Sequence, residues 1–135
     1  MKTLFIALFI SIFVTGCFNN EPPKCSDKEV EVSVKKLYIQ VLGNIKKSNN
    51  PFLLGFMQKL PQNIQSLSSI RAVAYEEKIK MRSCKAEAIF ENNQTASIKF
   101  TIQTNEENDD FYVELDTEFL EGLMQESIMQ GIFNN

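Results

Sequence analysis

The hydrophobic pattern of the chain changes period along its length, and this constrains the fold more than any other feature. Between residues 30 and 45, apolar side chains recur every three or four positions, as on one face of an α-helix. Residues 70–115 instead alternate between apolar and polar, as half-buried antiparallel strands do. Residues 120–128 return to helical spacing. The order predicts an α+β fold: an N-terminal helix packed on an antiparallel sheet of about four strands, with a closing C-terminal helix.

Local signals place the predicted elements. The motif Ser26-Asp27-Lys28-Glu29 has the form of a capping box and predicts a helix start. Ser48-Asn49-Asn50-Pro51 predicts its end. Six of the nine residues 52–60 are large and apolar, and the segment lies between two prolines, so it is predicted to form either a short helix or a collapsed loop.

The sequence also predicts an irregularity and a turn within the strand region. A change of alternation near Arg82 and Ser83 predicts a β-bulge or a twist there. Glu91-Asn92-Asn93-Gln94 predicts a tight turn, because asparagine tolerates positive φ. In the order of its elements the chain is similar to cystatin-like and NTF2-like domains, in which a helix lies across a curved sheet. The likeness is an analogy of architecture, without a diagnostic motif.

The residue types that are missing limit the chemistry. A chain of 135 residues has room for one domain, and it contains neither histidine nor tryptophan. Ser-His-Asp and Cys-His nucleophiles and imidazole metal sites are therefore excluded. We expect no catalytic residues and no cofactor.

The N-terminal segment indicates export. Residues 4–14 are apolar except for Ser11, too short a run for the roughly 20 residues of a spanning helix. It ends in Val14-Thr15-Gly16-Cys17, which resembles the lipobox of bacterial lipoproteins. The resemblance implies a signal peptide over residues 1–16, and acylation of Cys17, typically with palmitate among its chains. A tether over residues 17–24 and a single domain over residues 25–135 would follow. A plain secretory signal and an uncleaved anchor are the alternatives.

The same resemblance implies a location. Phe18, rather than an aspartate, follows Cys17, which in such lipoproteins favours sorting to the outer membrane of a Gram-negative bacterium. The expected partners are the membrane, through the lipid anchor, and a protein of the cell envelope.

Two cysteines remain after Cys17. Cys25 and Cys84 form an even pair in a chain predicted to leave the reducing cytosol, which favours a disulfide. Two buried thiols or a redox pair are the alternatives, although redox pairs usually have C-x-x-C spacing.

Charge is unevenly distributed along the chain. Residues 24–99 contain 13 basic and seven acidic residues, whereas residues 100–135 contain nine acidic residues and no basic one. The overall acidic balance gives no support to nucleic-acid binding. A basic face on anionic lipid or polysaccharide is conceivable, but a solvated surface is the simpler interpretation. Glu106, Glu107, Asp109 and Asp110 lack the spacing of an EF-hand, so we predict a solvated turn and no metal site.

Two further surface features are candidate sites. Phe52, Leu53, Phe56 and Met57 are candidate contacts to a partner or membrane, with core packing as the alternative. Asn93 lies in Glu91-Asn92-Asn93-Gln94-Thr95, which resembles the extended glycosylation acceptor of bacterial periplasmic enzymes.

Together these features favour a lipid-anchored, non-enzymatic binding or assembly module of the cell envelope. One alternative is an inhibitor or exclusion factor that blocks a foreign enzyme or conjugation apparatus. Another is a small hydrolase that uses serine, aspartate or glutamate without histidine.

Overall fold

The computed structural model describes residues 21–133, so the lipobox-like segment and Cys17 lie outside the described residues. The elements are α1 (Lys28–Lys47), α2 (Pro51–Met57), β1 (Ile64–Glu76), β2 (Met81–Phe90), β3 (Thr95–Thr104), β4 (Phe111–Leu115) and α3 (Phe119–Phe133). The predicted α+β fold is confirmed. Among these elements no helix is long and apolar enough to span a bilayer.

The four strands form one antiparallel sheet in the order β1-β2-β3-β4. One face, here called the inner face, is covered by α1 and α3 and carries the core. From the sheet come Cys84, Ala86, Ala88, Phe90, Ile98, Phe100 and Ile102; from α1 come Val30, Val34, Tyr38 and Leu42. The opposite, outer face is mainly polar. Burial of each large apolar side chain contributes about 1.5–3 kcal/mol, so the inner face fixes the strand register.

Helix α1 begins where the sequence predicted, but the capping box does not form. Asp27, rather than Ser26, is the N-cap residue, and no side chain caps the first turn. The Asp27 carboxylate instead accepts a hydrogen bond from the Lys24 backbone N–H at 3.0 Å. Glu29 in the first turn and Lys47 in the last turn still favour the helix dipole.

The ambiguous apolar segment contains the short helix α2. Pro51 occupies its first turn, where a missing N–H costs nothing, and the Asn50 side chain accepts a hydrogen bond from Phe52 N at 3.0 Å. The helix ends at Met57, and buried Leu60 and Pro61 lead into the sheet.

Strand β1 differs from its prediction in two ways. It begins six residues earlier than expected, because a register shift between Ile64 and Ser66 leaves the buried residues Ile64 and Leu67 three positions apart, which breaks the two-residue period. The β1–β2 register shifts at three places, and the one opposite Cys84 and Ser83 has its extra residue on β1, between Ala72 and Ala74, rather than on β2. The β2–β3 register runs without interruption from Met81 to Ile89, and Met81 simply lies on the outer face.

Candidate binding surfaces

The molecule has two distinct ends, separated by the length of α1. Twenty residues at 1.5 Å each make this helix about 30 Å long. The chain enters the domain at the first turn of α1. A disulfide and a hydrogen bond hold the chain in place there. The Sγ atoms of Cys25 and Cys84 lie 2.09 Å apart, which is disulfide distance, so the predicted pairing is confirmed. Pro22 is buried, and its carbonyl oxygen accepts a hydrogen bond from Arg82 Nη2 at 3.4 Å.

We call this region the entry end; it comprises residues 21–25 and the turns at residues 77–80 and 105–110. Glu21 and Pro23 line one shallow cleft with Asp109 and Asp110, and Lys78 and Lys80 line another with residues 104–109. All four carboxylates of the predicted acidic turn are exposed. In residues 21–133 no three His, Cys, Asp or Glu side chains are grouped to hold a metal ion.

The opposite end, here called the distal end, comprises α2, the turn at residues 91–94 and the last turns of α3. A Cβ atom added at Gly131 would lie 3.8 Å from Lys59 Nζ, which places the end of α3 beside the residues that follow α2. Five exposed apolar side chains lie on these two helices, and we call them the distal apolar group: Phe52, Ile128, Met129, Ile132 and Phe133.

The four predicted contact residues differ in their exposure to solvent. Phe52 is 70% exposed, whereas Leu53, Phe56 and Met57 are half-buried. The Phe56 ring packs edge-on against the Phe52 ring, with 4.6 Å between centroids, and supports it from below. Of the four predicted contact residues, Phe52 alone is therefore fully exposed, and its contact role stays a prediction.

The sequence interpretation missed the C-terminal half of α3. The helical spacing that predicts α3 includes Leu120, Leu123 and Ile128; the two leucines are buried, but Ile128 is 39% exposed. Phe133 is 77% exposed, the largest value among the exposed large apolar side chains of the described chain. The available signal was that apolar residues surround this helix instead of forming one stripe, which is unusual for a surface helix.

Tyr38 is a buried titratable group with a strongly displaced pKa. Burial raises the pKa of its phenol well above the usual 10.0, and the charge of Glu91 adds to the effect. The hydroxyl donates to the Pro61 carbonyl oxygen at 2.5 Å, and the ring packs against Phe90 and Phe119. A hydroxyl held in this way, without access to solvent, serves packing rather than catalysis.

The hydrolase alternative depends on how far the carboxylate side chains are buried. A general acid needs a sheltered carboxyl whose pKa is raised. Every Asp and Glu among the described residues is exposed except Glu31, which is half-buried and paired with Lys35 at 3.0 Å. No Asp or Glu side chain among residues 21–133 is therefore fully buried.

Asn93 lies in the turn between β2 and β3. It is exposed and has a φ of 67°, the left-handed conformation predicted for an asparagine here. The amide side chain is accessible, and its glycosylation stays a prediction.

The chain matches no family model, no curated protein and no solved structure. The likeness to cystatin-like and NTF2-like domains therefore rests on the order of elements alone. Function is accordingly inferred from the surfaces described above.

Proposed function

We propose that the protein is a lipid-anchored module of the bacterial cell envelope that binds a protein partner through its distal end, without catalysis. The observation that carries the proposal is the position of the distal apolar group at the end opposite to the chain entry. Exposed apolar side chains clustered at one end of a small domain mark contact sites.

The lipobox-like motif supplies the other half of the proposal. Cys17 and Glu21 are four positions apart, a reach of at most about 14 Å. An acylated Cys17 would therefore hold the entry end close to the lipid surface. Because α1 is about 30 Å long, the distal apolar group would project away from that surface and toward other envelope proteins. For this reason we propose a protein partner for Phe52 rather than the membrane. The outer membrane of a Gram-negative bacterium is the proposed location.

Site-specific photocrosslinking in intact cells tests the proposed face. A photoreactive phenylalanine analogue would replace Phe52 or Phe133 at the distal end, or Tyr112 at an exposed site on β4 as the matched control. We predict that the two distal positions give one shared protein adduct, which Tyr112 does not give. Ile132→Ser should reduce that adduct several-fold without changing the amount of protein, because it removes apolar contact area.

Two results would contradict the proposal: the same adduct from the Tyr112 position, or lipid adducts only from Phe52 and Phe133. The identity of the captured protein separates the two binding hypotheses. A resident envelope component indicates assembly, whereas a foreign enzyme or conjugation component indicates exclusion.

A further inference from the structure

The C-terminal half of β1 is an exposed sheet edge. β1 is hydrogen-bonded to β2 on one side only, because it is the first strand of the sheet. All six residues from 71 to 76 are exposed, which means that helix α1 leaves both faces of the strand uncovered there. Val73 is 58% and Tyr75 is 40% exposed. Such an edge is a template for an additional strand.

The charge of Arg71 is uncompensated within the described chain. On the outer face Arg71 lies directly opposite Lys85 of β2, and Lys85 lies opposite Lys99 of β3, so three cations form one row. Like charges at directly opposed positions destabilise a sheet. The one ion pair of residues 21–133 joins Lys35 and Glu31, so Arg71 has no carboxylate partner there. An anion on the free side of β1 would relieve this repulsion.

Glu76 is the matching anion, and the bulge puts it on the correct face. Arg71 and Glu76 are five positions apart, so in a regular strand they would face opposite sides. Because Val73 is the extra residue, Arg71 pairs with outer-face Lys85 and Glu76 pairs with outer-face Met81. Both charges therefore lie on the outer face, one on either side of the bulge.

We propose that β1 pairs with β1 of a second copy of the chain, antiparallel, to form a twofold dimer. Arg71 of each copy would then lie opposite Glu76 of the other, and Ala72 would lie opposite Tyr75. Val73 would lie opposite Ala74. Arg71 and Glu76 share the outer face, and Ala72 and Tyr75 share the inner face, as antiparallel pairing requires. Two copies of the segment would thus pair opposite charges and would place the paired side chains on the same face of the sheet.

The twofold axis runs perpendicular to the joined sheets, so both α1 helices lie on the same side of the dimer. The overlap is limited to residues 71–76, which places the two entry ends near the centre of the dimer. This pairing does not depend on lipid attachment or on the distal apolar group. A six-residue overlap is small for an interface, so the affinity is expected in the micromolar range or weaker.

Sedimentation equilibrium of the full chain in detergent solution tests the dimer by charge reversal. We expect wild-type protein to reach a dimer as its concentration approaches about 0.5 mM. Arg71→Glu and Glu76→Arg should each raise the dimer Kd at least about tenfold, since each opposes two like-charge pairs. The double variant should return to about the wild-type Kd. Lys47→Glu and Glu121→Arg, exposed charges on α1 and α3, are the matched controls and should leave Kd unchanged.

Circular dichroism of each variant establishes that the fold is retained. The proposal is overturned by a wild-type chain that stays monomeric over the whole range, which would also be the result if an unrelated extended peptide occupied this edge. It is equally overturned by a dimer that neither reversal weakens, or by a double variant that stays as weak as the singles.

Discussion

At the scale of single residues, Tyr38 links α1 to β2, to α3 and to the segment after α2. Its ring contacts Phe90 of β2 and Phe119 of α3, and its hydroxyl donates to the Pro61 carbonyl oxygen. A buried phenol without a partner would cost about 1–3 kcal/mol, so this bond fixes where the segment after α2 crosses α1. The helical spacing predicted that Tyr38 is buried, but its partner is 23 residues away and leaves no pattern in the sequence.

The displaced pKa of Tyr38 gives a pH prediction. The folded pKa is raised, so the stability from the neutral phenol is complete below pH 10 and is lost as pH rises above it. From pH 9 to pH 11 the wild-type free energy of unfolding should fall about 1.4 kcal/mol more than that of Tyr38→Phe. Near pH 7, Tyr38→Phe should cost about 1 kcal/mol through the lost hydrogen bond.

Urea titrations at several pH values measure both effects. Tyr75→Phe, which alters a 40% exposed ring, is the matched control and should keep the wild-type pH dependence. Parallel curves for wild type and Tyr38→Phe would show that burial of the phenol does not couple to stability.

At the scale of elements, the spacing of hydrophobic residues predicted the helices and strands that have one buried face and one solvent-exposed face. Strand β3 is the clearest case, because Ile98, Phe100 and Ile102 alternate with polar residues and all three are buried. The spacing did not predict the structure where the buried residues do not recur at the period of a helix or a strand. In the first half of β1 the apolar residues Ile64, Leu67 and Ile70 are three positions apart rather than two. Helix α3 has apolar residues on all sides, although part of it is exposed. The entry and distal ends arise from topology, which no local pattern encodes.

The disulfide joins two of these elements, and its removal is a test of the fold. It links the residues just before α1 to the middle of β2 and closes a loop of 59 residues in sequence separation. For a loop of about this length the chain-entropy estimate is about 4 kcal/mol of stabilisation. We predict that Cys25→Ala/Cys84→Ala lowers the free energy of unfolding by about this amount.

Urea unfolding of the oxidised protein, the reduced protein and the double variant provides the comparison. The reduced wild type should behave like the double variant, because both lack the cross-link. An unchanged unfolding midpoint after reduction would mean that the cross-link does not restrict the unfolded chain.

At the scale of the whole molecule, the chain entry and the distal apolar group lie at opposite ends of a domain whose length is set by α1. With the proposed anchor, the membrane would lie near the entry end, and the distal end would stay accessible to a protein partner. The proposed β1 dimer would bring two entry ends together and double the attachment. Two linked anchors hold far more strongly than one, because the second insertion is intramolecular.

The covalent state of Cys17 is the central claim, and one measurement addresses it most directly. Membranes of cells producing wild type, Cys17→Ser or the control Cys84→Ala would be pelleted, and the N-terminal peptide of each protein analysed by mass spectrometry. We predict that wild type and Cys84→Ala pellet at mature size with an acylated Cys17 as first residue, and that Cys17→Ser loses this form. Mature-sized Cys17→Ser protein still pelleting with membranes, or a wild-type Cys17 without acyl chains, would contradict the lipid-anchored account.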